Sequence, residues 1–328
     1  MLNNKRQIKG EHVINKKCKL LLLLLAVSTS IISKPSKIVG LMQIYNEQAI
    51  IAQALKALSL YTDAIIVLDD ASDDRTVDVV QSLASSCNVE KIIKNKVNSR
   101  LAGTEGNNYQ QLLEAGRLIG GTHFMVIDAD ELLSANCAKD NFLRRIILRL
   151  NPGDKLKLNI VHYWKNLDQY RIYFDEKMKY LIFCDDGQCS FKSIFLHVPR
   201  VPFDLAGGAS LELVNDSYCL LHFAYVNWDN VLLKQIWYRC LERIRNPSKS
   251  ADEINYWYRA HKEEDAQVYP APQEWLAGYN FFDPSVYAIE DSWRKNQVQS
   301  WLKTYGNNYR SEERRVGKEC RSRWSPYH

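Results

Sequence analysis

The sequence predicts an α/β fold in which a mostly parallel β-sheet is flanked by helices. Two observations lead to this prediction. Short apolar runs suited to buried parallel strands alternate with segments whose apolar residues recur at helical spacing. Two of these runs end directly in acidic clusters, where the loops of such a sheet bind ligands. Strand and helix in alternation imply right-handed crossovers and therefore parallel strands.

The elements follow in a regular order along the first half of the chain. Strands are predicted at residues 38–44, 64–68, 89–93 and 124–127. Helices are predicted at residues 76–83 and 105–119, and a first helix is predicted to open at Asn46-Glu47 and to continue to Leu58. Beyond Asn151 the pattern loosens, with strands predicted at 155–163, 170–174, 180–183 and 191–198, and helices at 230–245 and 251–262. A boundary near residue 228 would separate a module of residues 37–228 from a helical C-terminal extension of residues 229–309.

The two ends of the chain differ from the segment between them. The net charge is +5, but the basic excess lies in residues 1–37 and 310–328, and the acidic remainder argues against a partner nucleic acid. Residues 310–328 resemble the translation of a sequencing-library adapter. Lysines before a short apolar run predict a signal-like or membrane-anchor segment over residues 1–33. The predicted location is exported or membrane-associated, or cytoplasmic if the start codon is assigned too early.

Acidic residues follow the fourth predicted strand. Asp128, Asp130 and Glu131 come directly after a buried apolar run, so their carboxylates sit on a rigid support. Two such carboxylates facing one small volume repel each other, and a divalent cation that prefers oxygen ligands relieves this. A bound cation could neutralise a diphosphate leaving group. A solvated turn that caps the next helix is the alternative reading.

A second acidic cluster follows the second predicted strand. Ser72 or Asp74 could cap the helix that begins near Thr76. Asp69 and Asp70 come too early for that cap and fall at the ligand-binding edge of the sheet. A carboxylate there can accept hydrogen bonds from a nucleobase N–H or a ribose hydroxyl.

Together these motifs resemble family 2 glycosyltransferases with the GT-A (Rossmann-like) fold, mainly over residues 38–135. The resemblance rests on D-D-x-S-x-D-x-T from Asp69 to Thr76 and on the D-x-D of Asp128 and Asp130. It also rests on Tyr45-Asn46-Glu47 and on Arg100, Gly103 and Asn107-Asn108, where Asn107 stands in the place of a usual Arg. No Q-x-x-R-W motif is found, which predicts non-processive transfer of single sugars.

The resemblance implies transfer of a sugar from a UDP- or GDP-sugar to a glycan, lipid or protein acceptor, with Mn²⁺ or Mg²⁺ and generally with inversion. The implied nucleotide-sugar ligands are Tyr45, Asn46, Glu47, Asp69, Asp70, Arg100, Asn107 and Asp128, and the implied metal ligands are Asp128, Asp130 and His222. A carboxylate base must reach the acceptor hydroxyl. The candidates are Asp185, Asp186, Asp204 and Glu212.

Other interpretations compete with this one. A strand followed by D-x-D also fits a haloacid-dehalogenase-like phosphatase, with Asp128 as nucleophile and Asp130 as general acid. A protein that binds a sugar nucleotide without turnover would show the same acidic clusters. His222 could equally be a half-buried histidine at a strand end. Arg200 could meet a phosphate, but an exposed salt bridge is expected.

Overall fold

The first strand forms where the apolar run predicts it. In the computed structural model, which describes residues 35–306 except 140, 174–176, 195–196 and 259–266, β1 (Ile38–Ile44) is buried along its whole length. α1 (Ile51–Ser59) follows, with its apolar face turned inward. The prediction that it opens at Asn46-Glu47 is wrong, because these two residues bond to Ser72, Asp73 and Thr76 instead. The signal-like segment and the adapter-like tail lie outside the described residues.

Parallel pairing extends from β1 in both directions. β2 (Ala64–Asp69) and β3 (Val89–Lys94) join on one side, with α2 (Thr76–Leu83) between them. β4 (His123–Val126) joins on the other side, after α3 (Ser99–Ala102) and α4 (Glu105–Leu118). The carboxyl ends of β1, β2 and β4 therefore meet at one sheet edge, which we call the carboxyl edge. The predicted α/β fold is confirmed.

The sheet becomes mixed beyond β4. β5 (Glu131–Leu133), α5 (Asn136–Lys139) and α6 (Phe142–Ile147) lead to a long strand, β6 (Lys155–Tyr163). β7 (Gln169–Arg171) and β8 (Met178–Cys184) pair antiparallel with β6, and β8 also pairs antiparallel with β4. β9 (Ser210–Leu213) and β10 (Cys219–His222) run parallel to β6, and β10 pairs antiparallel with β5.

The prediction of a strand at residues 191–198 is wrong for the described residues of that segment, which pair with no β-strand. Their backbone groups bond to α4 instead. Gln110 Oε1 accepts from Phe191 N at 2.8 Å, and Gly106 N donates to the Ile194 carbonyl at 3.0 Å. A Cβ at Gly106 would lie 2.0 Å from the Lys192 carbonyl oxygen, so this crossing requires glycine.

The C-terminal region combines helices with a short strand. α7 (Trp228–Arg245) and α8 (Ala251–Trp257) precede β11 (Val268–Pro270), which pairs with β7, and α9 (Ser292–Tyr305) ends the described chain. Residues of this region, among them Trp275 and Tyr279, are buried in one core with the sheet. The boundary near residue 228 stays a prediction. No helix in the described part of the chain is long and apolar enough to cross a membrane.

Candidate active site

The residues after β1 are clamped to the loop after β2. Asn46 adopts a left-handed conformation (φ 55°), which asparagine tolerates well. Its side chain donates to Asp73 Oδ1 at 2.7 Å and accepts from Asp73 N at 2.9 Å. Its backbone N–H donates to Ser72 Oγ, and that of Glu47 donates to Thr76 Oγ1. The loops after β1 and β2 are therefore held together, and Glu47 lines a cavity.

The carboxylates at the end of β2 have different surroundings. Asp70 is fully buried and accepts from Ser99 Oγ at 2.7 Å, from Ser99 N at 2.9 Å and from Asn95 Nδ2 at 2.8 Å. It therefore fixes the loop that leads to Arg100. Asp69 receives weaker contacts, with Ser72 N at 3.3 Å from each oxygen, and burial raises its pKa. Of the two, Asp69 keeps more hydrogen-bonding capacity for a ligand.

The D-x-D turn after β4 is held by a buried arginine. Arg200, 5% exposed, binds both Asp128 and the fully buried Glu131, and its Nη2–Glu131 Oε1 distance is 2.8 Å. Burial alone would raise the pKa of Glu131, but the Arg200 guanidinium holds that pKa below its usual range. The expectation of an exposed salt bridge for Arg200 is therefore wrong. This arginine fixes the turn from which Asp128 and Asp130 project.

Asp130 has a different set of partners. His222 Nε2, at the end of β10, and Lys234 Nζ, on α7, each lie 3.5 Å from Asp130 Oδ2. Burial would raise the pKa of Asp130, but the Lys234 ammonium and His222 hold it well below its ordinary value. Asp130 is therefore a carboxylate at neutral pH. His222 lies beside Asp130 because β10 pairs with β5, the strand that directly follows the D-x-D turn.

Asp128 and Asp130 line different cavities. Asp130, Glu47, Lys234 and Arg294 line one of ≈ 200 Å³, which we call the Asp130 cavity. Asp128 lines one of ≈ 610 Å³, which we call the Asp128 cavity. Its other described lining residues are mainly cationic and aromatic, and include Arg100, Lys155, Lys179, Arg200, Tyr109, Tyr180, Phe203 and Tyr238. The D-x-D turn thus lies between two cavities.

The structure brings two other predicted ligands only partly to the site. Arg100 lines the Asp128 cavity, where Glu105 pairs with it at 2.7 Å. Asn107 is exposed and lines neither cavity. Its neighbour Asn108 is buried and bonds to Asn95 and Ser99, so it supports the loop that Asp70 also holds.

The four candidate bases line neither cavity. Asp185 follows β8 at the opposite sheet edge from Asp128, next to Thr122, and is held by Arg117 at 2.6 Å. Asp186 accepts from three backbone N–H groups, and Asp204 accepts from both the backbone and the hydroxyl of Ser190. Glu212 pairs with Lys157 at 2.5 Å. These four carboxylates bond to residues of nearby loops and strands, and none of them lies beside Asp128.

Asp130 and His222 fit a divalent cation. Two ligands about 2.1 Å from an octahedral ion lie about 3 Å apart, close to the 3.5 Å between Asp130 Oδ2 and His222 Nε2. Both side chains are partly exposed; a carboxylate oxygen suits a hard divalent cation such as Mn²⁺, and an imidazole nitrogen is a ligand of transition-metal ions. Asp128 is bound through Oδ2 to Arg200, which leaves Oδ1 for a ligand. Among the described residues, the potential ligands clustered within 4.8 Å are another group, Asp185, Asp186 and Cys189.

Several residues at this edge were not predicted as site residues. Lys234 and Arg294 line the Asp130 cavity, and His162 contacts His222. Lys234 and Arg294 come from helices more than 100 residues after the D-x-D turn, and the sequence carries no local signal for that packing. The alternation of β6 places His162 on one of its faces, but only the pairing with β10 brings it to His222.

Carboxylates at parallel strand ends, a candidate cation site and two flanking cavities are features that a nucleotide-sugar-dependent transferase would need. Residues 41–143, from β1 into α6, match the family model described as Glycosyl transferase family 2. This match covers less than half of the chain; it bears out the predicted resemblance to the family and supports the predicted enzyme class, a glycosyltransferase. The comparison with curated proteins gives no match.

Solved structures with a similar fold include two that span most of the chain. TarS 1–349 of S. aureus is 14% identical, with 89% of this chain and 93% of that chain covered and a TM-score of 0.41. The mannosyltransferase PcManGT of Pyrobaculum calidifontis, in complex with GDP-Man and Mn²⁺, is 13% identical, with 89% and 84% covered and a TM-score of 0.39. Glucosyl-3-phosphoglycerate synthase of Mycobacterium tuberculosis, with Mn²⁺ and UDP, is 17% identical over 39% of this chain and 44% of that chain, with a TM-score of 0.26.

Proposed function

We propose that the chain transfers single sugars from a UDP- or GDP-sugar to an acceptor hydroxyl, with Asp130 and His222 holding Mn²⁺ or Mg²⁺. The observation that carries this proposal is the grouping of Asp130, His222 and Lys234 at the carboxyl edge, beside a cavity that Glu47 also lines. It stands in a chain whose residues 41–143 match family 2 glycosyltransferases.

The donor diphosphate is proposed to occupy the Asp130 cavity. Lys234 and Arg294 supply cations on its walls, and the guanidinium of Arg294 lies 4.3 Å from the centroid of the Trp293 ring. Trp293 meets Tyr45 edge-on, with 4.8 Å between ring centroids. α9 therefore adds a cation and an aromatic ring to the residues that follow β1. A bound divalent cation would neutralise charge on the leaving diphosphate.

The nucleoside is proposed to lie near the loops after β1 and β2. Asp69 can accept a hydrogen bond there, whereas Asp70 and Asn46 hold the loops in place. Glu47 faces the diphosphate region. Because burial raises the pKa of Glu47 to about 8, this side chain is mostly neutral at pH 7 and does not repel a phosphate.

The acceptor is proposed to occupy the Asp128 cavity. Its aromatic walls suit a sugar or another partly apolar molecule. A base must lie within hydrogen-bond reach of the acceptor hydroxyl, and Glu105 and Asp128 are the carboxylates among the described residues that line this space. Arg100 holds the first and Arg200 the second, and the side chain of Asp128 is 40% exposed. Asp128 is therefore the carboxylate that we place nearest the reaction.

Calorimetric titration of the full chain with UDP and with GDP, with and without Mn²⁺, tests this proposal. We expect Mn²⁺ to strengthen binding of one nucleotide, Asp130→Asn to abolish that strengthening, and the exposed control Asp78→Asn to keep it. If neither nucleotide binds the folded protein, the proposed function is contradicted. Release of UDP or GDP from sugar donors then separates an active transferase from a protein that only binds them.

A further inference from the structure

Two histidines meet behind the candidate cation site. His162 Nδ1 lies 2.8 Å from His222 Nδ1, and the two residues are register partners in the parallel pair β6–β10. His162 is 2% exposed, and the edges of its ring meet the rings of Tyr173 and Tyr225 at 4.8 Å and 5.4 Å between centroids. The other ring nitrogen of His222, Nε2, faces Asp130 at 3.5 Å. His222 is thus held on one side by His162 and offers the other side to the site.

The Nδ1–Nδ1 contact restricts where the protons reside. A neutral imidazole carries one proton, so in a hydrogen bond between two Nδ1 atoms one ring donates and the other accepts. A cation ligand must present a lone pair, which for His222 means that Nε2 carries no proton. The proton of His222 is then on Nδ1, and His162 must accept it through its own Nδ1. A partner that accepts a hydrogen bond from Nδ1 of His222 therefore stabilises the tautomer in which Nε2 has a free lone pair for a cation.

We propose that His162 is the positioning residue of the cation site: its Nδ1 accepts the Nδ1–H of His222 and keeps the Nε2 lone pair of His222 directed to the space beside Asp130. This inference rests on the proposed function, because it requires that Asp130 and His222 hold a cation. Without a cation, His222 can take the other tautomer and donate from Nε2 to Asp130. With a cation bound, His222 would carry its proton on Nδ1 instead of Nε2, and His162 would carry its own on Nε2 instead of Nδ1, so that its Nδ1 accepts.

A matched pair of variants separates this role from packing. His162→Asn keeps an amide near the place of Nδ1, whereas His162→Phe keeps a ring and removes the acceptor. In the full chain with UDP, we expect His162→Phe to weaken Mn²⁺ binding by about 10- to 100-fold, the usual effect of losing such a partner. We expect His162→Asn to retain Mn²⁺ affinity within about threefold, because its amide oxygen can accept from His222. UDP affinity without Mn²⁺ should not change in either variant.

The outcomes distinguish the two proposals. If Asp130→Asn leaves Mn²⁺ affinity unchanged, the proposed cation site itself is contradicted. If Asp130→Asn weakens Mn²⁺ binding while both His162 variants bind it like the wild type, or lose it equally, His162 is not the positioning residue.

A measurement on the wild-type protein covers the case in which His162→Phe does not fold. ¹⁵N–¹H correlation spectra of the histidine rings report the tautomer directly, and Zn²⁺, a d¹⁰ ion that binds imidazole nitrogen, is a diamagnetic probe. With Zn²⁺ and UDP we expect His222 to carry its proton on Nδ1. A His222 ring that keeps its proton on Nε2 while Zn²⁺ is bound beside Asp130 would overturn the inference.

Discussion

The Lys234 ammonium lies 3.5 Å from Oδ2 of Asp130, the same oxygen that faces His222. Through this contact α7 reaches the turn after β4. Lys234 therefore lies beside the carboxylate oxygen that a divalent cation would share with His222, and it lines the cavity proposed for the diphosphate. A cation and a diphosphate should depend on Lys234 in opposite directions.

We predict that Lys234→Met strengthens the binding of Mn²⁺ alone by a few-fold, because a competing positive charge is removed from Asp130. The same change should weaken UDP binding by about tenfold, or about 1.4 kcal/mol, since the diphosphate loses an ion-pair partner. Calorimetry with each ligand separately measures both effects. The exposed α9 residue Lys303 provides the control Lys303→Met. Weaker Mn²⁺ binding, or unchanged UDP binding, by Lys234→Met would contradict this account.

The buried ion pair of Arg200 predicts a large effect on stability. Arg200→Met leaves the carboxylate of Glu131, which is fully buried, without its guanidinium. Breaking such a pair costs about 3–5 kcal/mol, so the free energy of unfolding in urea should fall by that amount. Lys37→Met, which breaks the exposed pair with Glu90, should cost at most about 1 kcal/mol.

A second variant tests the reason for that loss. Arg200→Met combined with Glu131→Met removes both charges, so it should be less destabilising than Arg200→Met alone. If the double variant is the less stable of the two, desolvation of an unpaired Glu131 is not the cause.

The raised pKa of Glu47 predicts a specific pH dependence. This pKa is about 8 in the folded chain because of burial, above the value near 4.5 for an unperturbed glutamate. The folded state therefore binds the proton more tightly, and the stability that this contributes is complete below about pH 4.5 and is lost as the pH rises toward 8. Glu47→Gln should accordingly lose less stability than wild type between pH 5 and pH 8, by at least about 1 kcal/mol.

Urea unfolding at the two pH values measures this difference. Glu114→Gln, on the exposed face of α4, should behave as the wild type does. If the stability of Glu47→Gln and of the wild type changes with pH in parallel, the pKa of Glu47 is not raised in the folded chain. Glu47 would then be charged at pH 7 and would repel the phosphates.

The position of Asp185 predicts an effect on stability rather than on binding. Arg117 and the Cys189 thiol both donate to this carboxylate, and they hold its pKa below the ordinary value against the opposing effect of burial. Asp185→Asn should therefore cost about 1–2 kcal/mol of unfolding free energy and leave Mn²⁺-dependent UDP affinity unchanged. Donor turnover measured beside stability checks this. A loss of turnover at unchanged stability would support Asp185 as the base.

The parallel half of the fold could be predicted from sequence because its signal is local. The apolar runs of β1, β2 and β4 are buried from end to end, and the carboxylates that follow them had to meet at one edge. The position of the D-x-D carboxylates at this edge could be predicted for the same reason, because the ends of parallel strands converge there. These features follow from residues within a few positions of each other.

The partners of those carboxylates could not be predicted in this way. Arg200 reaches Asp128 and Glu131 from about 70 residues further along the chain, and Lys234 reaches Asp130 from 104 residues away. Such contacts depend on how distant elements pack, which apolar periodicity does not encode. The distinction between Asp69 and Asp70 is of the same kind, because it depends on the loop of Asn95 and Ser99 closing over one of them.

Anomalous diffraction from crystals grown with Mn²⁺ and UDP would show directly whether Asp130 and His222 hold the divalent cation. We expect one Mn²⁺ peak within about 2.0–2.3 Å of Asp130 and His222, with the nucleotide phosphates beside it. A peak at Asp185, Asp186 and Cys189, the group that the structure already clusters, would place the cation at the opposite sheet edge and rule out Asp130 and His222 as its ligands.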